Sequence, residues 1–147
     1  EALKKCKKIY LEDYTVDFPY SREQLEKAIG KKILPADREF VESLKIVEEA
    51  RGENIALLIY GSPLFATTHI SILQEAQKKK IKYEIIYNSS VFDAVAETGL
   101  QLYKFGKIVS MPLFEEDSFT EIIRDNQKIN AHSLILIDIG LEFKDAL

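Results

Sequence analysis

The residues richest in possible chemistry follow the most apolar stretch of the chain. Gly61 to His69 (GSPLFATTH) comes directly after Asn54 to Tyr60 (NIALLIY). A Gly-Xaa-Pro turn at the end of a buried strand brings backbone N–H groups of the loop and the next helix to the strand's carboxyl edge, where they can meet a polar ligand. The same residues also serve as an ordinary strand-to-helix turn in which the threonines cap the helix. Spacing alone leaves both uses open.

Several other chemistries are absent. The glycines fall at 30, 52, 61, 99, 106 and 140, so no pair has the GxG spacing of a dinucleotide fingerprint and no GxxxxGK[ST] loop exists. There is no GxSxG elbow, and His69 and His132 stand apart without metal-ligand spacing. Cys6 is the only cysteine, which excludes an internal disulfide and a cysteine-based metal cluster and fits a reducing cytosol. It reads as a small apolar residue rather than a reactive thiol.

Weaker candidates have competing structural uses. His69 either touches substrate or hydrogen-bonds at its turn, and His132 reads as a solvated loop residue. Tyr103, Lys104 and Phe105 form either an aromatic and cationic binding platform or packing beneath the next strand. Asp93 and Glu97 lie at i and i+4, the spacing of a solvated pair on a helix face or of an acid/base dyad. Tyr83, Tyr87 and Phe92 read as core.

The elements that must position these residues alternate. Glu1 to Lys8 reads as the end of a helix, Ile9 to Glu12 as a short strand, and a loop with Asp17 and Pro19 follows. Ser21 and Gln24 have capping-box spacing, and Gly30 is the stop. Lys31 to Leu34 is a short strand. Phe40, Val41, Leu44, Ile46 and Val47 recur at helical spacing from Asp37 until Gly52.

Asn54 to Tyr60 has the continuous apolar character of a strand covered on both faces, which puts it near the middle of a parallel sheet of about five or six strands. Thr67 or Thr68 starts a helix through Lys80, whose Lys78-Lys79-Lys80 turn complements the helix dipole. Lys82 to Tyr87 is a strand, Ser90 to Thr98 a short helix, Lys107 to Met111 a strand, Asp117 to Asn130 a helix and Ser133 to Ile139 a strand. The pattern predicts one α/β domain, a mostly parallel sheet flanked by helices, with ligands at the carboxyl ends of the strands. The loops after Tyr60, Tyr87, Met111 and Ile139 are therefore the ones to inspect.

Composition agrees with that fold class. With 147 residues, 46% of them apolar and 30% charged, the chain can bury a core and is not a disordered segment. A formal charge of -4 argues against a dedicated nucleic-acid binder. Apolar runs such as Ile55 to Tyr60 are far shorter than the roughly 18 to 20 residues of a membrane span. No secretory signal opens the sequence. The chain starts at Glu1 without Met, at a residue that reads as the inside of a helix, which predicts a truncated or split polypeptide.

Three further segments carry a resemblance. Asn88 to Val95 (NSSVFDAV), Thr98 to Lys107 (TGLQLYKFGK) and Leu136 to Ile139 (LIDI), with Glu1 to Glu12 (EALKKCKKIYLE) and the Gly61 loop, make the sequence similar to diphthine synthases from end to end. The Thr98 to Lys107 run is the most specific of these. The resemblance implies the N-terminal domain of a two-domain, tetrapyrrole-methylase-like methyltransferase that binds S-adenosylmethionine in the cleft between its domains. The implied substrate is the modified histidine of translation elongation factor 2, on the route to diphthamide. It also implies a cytoplasmic homodimer that engages neither nucleic acid nor membrane.

Carried over position by position, the implied cofactor contacts are Ser62, Phe65, Ser90, Val91 and Ile137. No metal ligand and no catalytic residue is implied. Ser62 departs from the family, which reads Gly-Asp-Pro where this chain reads Gly-Ser-Pro; a serine replaces a charge-assisted bond with a neutral one. The family's first strand, with its glycine-rich loop, is expected before Glu1, and a second domain after Leu147. Two alternatives compete with the enzyme: a noncatalytic binding or assembly module that keeps half of the fold, and a related methyltransferase acting on another substrate such as a tetrapyrrole. The Thr98 to Lys107 run argues against the latter.

Overall fold

The computed structural model describes residues 1–16, 18–113 and 117–146, so Asp17 of the first loop lies outside the described residues. The chain forms two compact units, Glu1–Ser90 and Val91–Leu147. Both are α/β, with parallel strands and helices alternating along the chain.

The first unit is built around β1 (Lys8–Glu12), which pairs in parallel with β2 (Leu34–Ala36) on one side and β3 (Ile55–Leu58) on the other. The period-two alternation of β1 sends its side chains into two cores. Tyr10 packs with Ala36, Val41, Ile46, Val47 and Ala76 on one face. Ile9 and Leu11 pack with Ile33, Leu25 and Ile29 on the other.

The helices cover those faces for local reasons. In α1 (Arg22–Ile29), the Ser21 hydroxyl accepts from the Gln24 N–H at 3.3 Å, the Ser21 N–H donates to Gln24 Oε1 at 2.8 Å, and left-handed Gly30 ends the helix. This is the expected capping box. The expected single helix from Asp37 to Gly52 is instead two, α2 (Arg38–Glu42) and α3 (Lys45–Glu49), because Leu44 between them has a φ of 59°. Helix α4 (Ile70–Lys78) has His69 directly before it, and Thr67 accepts the His69 N–H at 3.3 Å, so neither threonine is the residue directly before the helix.

Two expectations for the sheet are corrected. The described strands lie in a three-stranded and a two-stranded sheet, not in one, and the Asn54 to Tyr60 strand is an edge of the first while β1 is its centre. Tyr60 is 46% exposed. A continuous apolar run reports that helices cover both faces of a strand; it carries no information about its lateral neighbours. Lys82 to Tyr87 is neither helix nor strand and pairs with no described strand, and Tyr83 and Tyr87 are exposed rather than core. Its β-forming composition sets local geometry, whereas pairing depends on a distant partner.

In the second unit, α5 (Val91–Val95) passes into a 3-10 turn at Ala96–Thr98, and a second such turn spans Leu102–Lys104. Strands β4 (Val109–Met111) and β5 (Ile135–Ile137) pair in parallel, and α6 (Ser118–Lys128) is the crossover between them. A short α7 (Phe143–Ala146) follows. His132, expected to be solvated, is partly buried: it bridges to Phe105 through the backbone and their rings lie 5.2 Å apart. Phe105 thus packs, while Tyr103 beside it is 81% exposed. Among the described residues no helix is long and apolar enough to cross a membrane.

Candidate functional site

The loop after β3 is shaped by Gly61, whose φ of +75° carries the chain out of the strand. A β-carbon at Gly61 would stand 3.4 Å from the Ser89 carbonyl oxygen, so the two backbones approach closely here. Ser62 and Ser90, each one residue further along, therefore follow two loops that touch at the same end of the first unit. Thr67 closes the far side of the Gly61 loop by donating to the Pro63 carbonyl at 3.2 Å.

A hollow of about 350 Å³ opens beside this contact, lined by Phe18, Tyr20, Ile59, Tyr60, Gly61, Asn88 and Ser89. Phe18 and Tyr60 meet edge to face, centroids 5.2 Å apart. Aromatic walls with a few polar groups and exposed backbone suit a planar heterocycle carrying polar substituents.

The residues named from the sequence are divided between the two units. Ser62 is buried, and its hydroxyl meets no hydrogen-bond partner among the described residues. Phe65 stands half exposed on the same loop. Ser90 ends the irregular segment that contains Lys82 to Tyr87. In the second unit, Val91 opens α5 and Ile137 ends β5, both exposed. Asp93 and Glu97 are exposed as well, Asp93 in the helix and Glu97 in the 3-10 turn after it.

Sequence reasoning missed most of the surroundings. Phe18, Tyr20 and Asn88 line the hollow, and their signal, aromatics in a loop after a buried strand, is too common to single out. Glu12, at the end of β1, is completely buried and accepts from the N–H of Thr15 at 2.9 Å and its hydroxyl at 2.8 Å. A lone acid ending an apolar strand was a signal available to find it. His69 is buried too, and burial pushes its pKa below the usual imidazole value, opposed by the Glu12 charge and by the Pro63 carbonyl. Burial thus favours the neutral imidazole.

Among the described residues no group of three or more His, Cys, Asp or Glu side chains is arranged to hold a metal ion. The site offers backbone amides, a buried hydroxyl and aromatic surface, which bind and orient but do not themselves perform acid–base or nucleophilic chemistry.

Known proteins resemble this chain in sequence and fold. The model of the tetrapyrrole (corrin/porphyrin) methylases matches residues 1–146. The diphthine methyl ester synthases of Saccharomyces cerevisiae and Candida glabrata are 46% and 44% identical over 149 aligned positions, which take in 97% of this chain and 50% of theirs. The chain spans about half the length of the curated relatives it matches. A crystal structure of a diphthine synthase superposes with a TM-score of 0.89 at 33% identity, over 96% of this chain and 57% of the other.

Proposed function

Because this chain belongs to the tetrapyrrole (corrin/porphyrin) methylase family, we propose that it forms the N-terminal part of an S-adenosylmethionine-dependent methyltransferase of diphthamide synthesis. Its substrate is the modified histidine of translation elongation factor 2, and the enzyme works as a cytoplasmic homodimer. The observation that carries the reading is the Gly61 to Phe65 loop, whose backbone approaches Ser89 beside an aromatic hollow and which keeps a buried hydroxyl at Ser62 with no partner among the described residues. Diphthine methyl ester synthases match the chain over 97% of its length.

Ser62, Phe65 and Ser90 are this unit's contribution to holding the cofactor. The Ser62 hydroxyl suits a ligand hydroxyl or amine, and the Gly61 and Ser89 backbones admit a ligand close to the main chain. S-adenosylmethionine supplies an electrophilic methyl group on a sulfonium. The chain's part is to hold the acceptor in line with that methyl and to exclude water, which also lowers the pKa of an acceptor amine. No residue of the chain is assigned as an acid or base.

A first strand with a glycine-rich loop before Glu1 and a second domain after Leu147 complete the enzyme in this reading. Calorimetry with S-adenosylmethionine on the chain alone, and on the chain joined to those parts of the Saccharomyces cerevisiae relative, tests it. The completed polypeptide binds at one site and transfers labelled methyl to elongation factor 2, and Ser62→Asp tightens binding. The chain alone shows no thermal shift at high-micromolar cofactor, whereas a ligand at about ten times its Kd would add about 1.4 kcal/mol of stability and raise Tm by a few degrees. Low-micromolar binding by the chain alone would show a complete cofactor site in this half. Cofactor binding without methyl transfer in the completed protein would favour a noncatalytic module.

A further inference from the structure

The chain leaves β3 through a loop bracketed by two left-handed residues, Gly61 at a φ of +75° and Ala66 at a φ of 55°. Glycine adopts that region freely, whereas an alanine there strains against its own β-carbon, so the surroundings must hold Ala66 in place. The turn between them is weakly tied by itself. Its bond from the Phe65 N–H to the Ser62 carbonyl is long at 3.4 Å, and Pro63 has no N–H to add another.

Thr67 supplies the stronger tie. Its hydroxyl donates to the Pro63 carbonyl at 3.2 Å and accepts the backbone N–H of His69 at 3.3 Å, so one side chain fastens the middle of the loop to the residue directly before α4. Thr68 beside it is exposed and joins the helix instead, its carbonyl accepting the Ser71 N–H at 3.1 Å and the Ser71 hydroxyl at 2.9 Å. Within the loop so held, Ser62 is 5% exposed and its hydroxyl meets no hydrogen-bond partner among the described residues. A buried hydroxyl is costly to leave unmatched, and a loop free to relax would give it to water or to a nearby carbonyl.

We propose that Thr67 is a positioning residue: by fastening Pro63 to His69, it holds the Gly61–Phe65 loop and left-handed Ala66 in the form that keeps the Ser62 hydroxyl buried and open to a ligand. That the ligand is S-adenosylmethionine rests on the methyltransferase reading above; the clamp itself does not.

The experiment is calorimetry of the completed polypeptide with S-adenosylmethionine. Thr67→Val keeps the shape of the side chain, removes both bonds and should weaken binding about tenfold, the effect of one preorganising hydrogen bond. Should Thr67→Val fail to fold, Thr67→Ala removes the same bonds and gives the same readout. Thr67→Ser returns the hydroxyl and should restore the affinity, while Thr68→Val should leave it as it is. Because the clamp acts through Ser62, Thr67→Val should cost little further affinity once Ser62 is replaced by alanine. Wild-type affinity without the Thr67 hydroxyl, no rescue by Thr67→Ser, or losses from Ser62→Ala and Thr67→Val that simply add overturns the positioning role. If the completed wild type binds no S-adenosylmethionine, the methyltransferase reading fails, and amide spectra of the 15N-labelled chain decide the clamp. Thr67→Val should then broaden or shift the amides of Gly61, Ser62, Leu64 and Phe65 and leave those of Arg22–Ile29 in place; unchanged loop amides overturn the clamp as well.

Discussion

The side-chain amide of Asn126 occupies the space that a β-carbon on residue 106 would need, so Gly106 and Asn126 form one interlocked pair. From α6, Asn126 Oδ1 accepts the N–H of Lys107 at 2.9 Å, and its Nδ2 donates at 2.9 Å to both the Lys107 carbonyl and the Ser133 hydroxyl. This buried amide joins the approach to β4 with the approach to β5.

Gly106→Ala should accordingly destabilise the second unit by about 1 to 3 kcal/mol, the range for forcing extra atoms into a filled interior. Asn126→Ala in the same background should recover part of that loss, since it removes the clash. Urea unfolding of the two single variants and the double variant measures the coupling. Strict additivity would mean that the amide does not set the requirement for glycine.

The neutral His69 gives stability a pH dependence of known sign. Its folded pKa lies below the ordinary imidazole value of 6.5, so between those two values the unfolded chain binds a proton that the native chain does not. Stability should fall as pH drops through that window and level off once the native imidazole is also protonated. Glu49 and Glu53, held low chiefly by hydrogen bonds from Lys8 and Lys7 respectively, lose their contributions only below their ordinary value of 4.5. Chemical unfolding from pH 7 to 5 should therefore show a slope that His69→Gln removes.

Ser21→Ala should cost about 1 kcal/mol by leaving the Gln24 N–H without its cap, and Ser21→Asp should retain most of the stability. The loss should appear in amide exchange as fraying of the first turn of α1. Equal protection in wild type and Ser21→Ala would show that tertiary packing alone starts this helix.

Lys31 fastens the start of the chain. Its ammonium donates to the carbonyls of Leu3 at 3.1 Å, Lys4 at 2.7 Å and Cys6 at 2.7 Å, at the end of the Ala2–Lys5 turn. Lys31→Met keeps the aliphatic stem and removes these bonds, and should cost about 1 kcal/mol while speeding exchange of the Lys4 and Cys6 amides. Lys32→Met removes the neighbouring charge without touching these three carbonyls, so it serves as the comparison and should leave the amides as they are.

Local rules determined much of the chain from its residue types alone. Ser21 with Gln24, and the alternation of apolar strands with amphipathic helices, specify a capped helix and an α/β class through interactions only a few residues long. The Gly61 to Phe65 segment was legible as a tight turn after a strand because glycine and proline fix backbone geometry where they stand. Tertiary structure decided what depends on distant partners. It made β1 the centre and β3 an edge, left Lys82 to Tyr87 outside the described sheets, broke the helix at Leu44, and buried Glu12 and His69. Strand order and the burial of a polar group are set by which surfaces meet across the fold, and a one-dimensional pattern of residue types does not encode that choice.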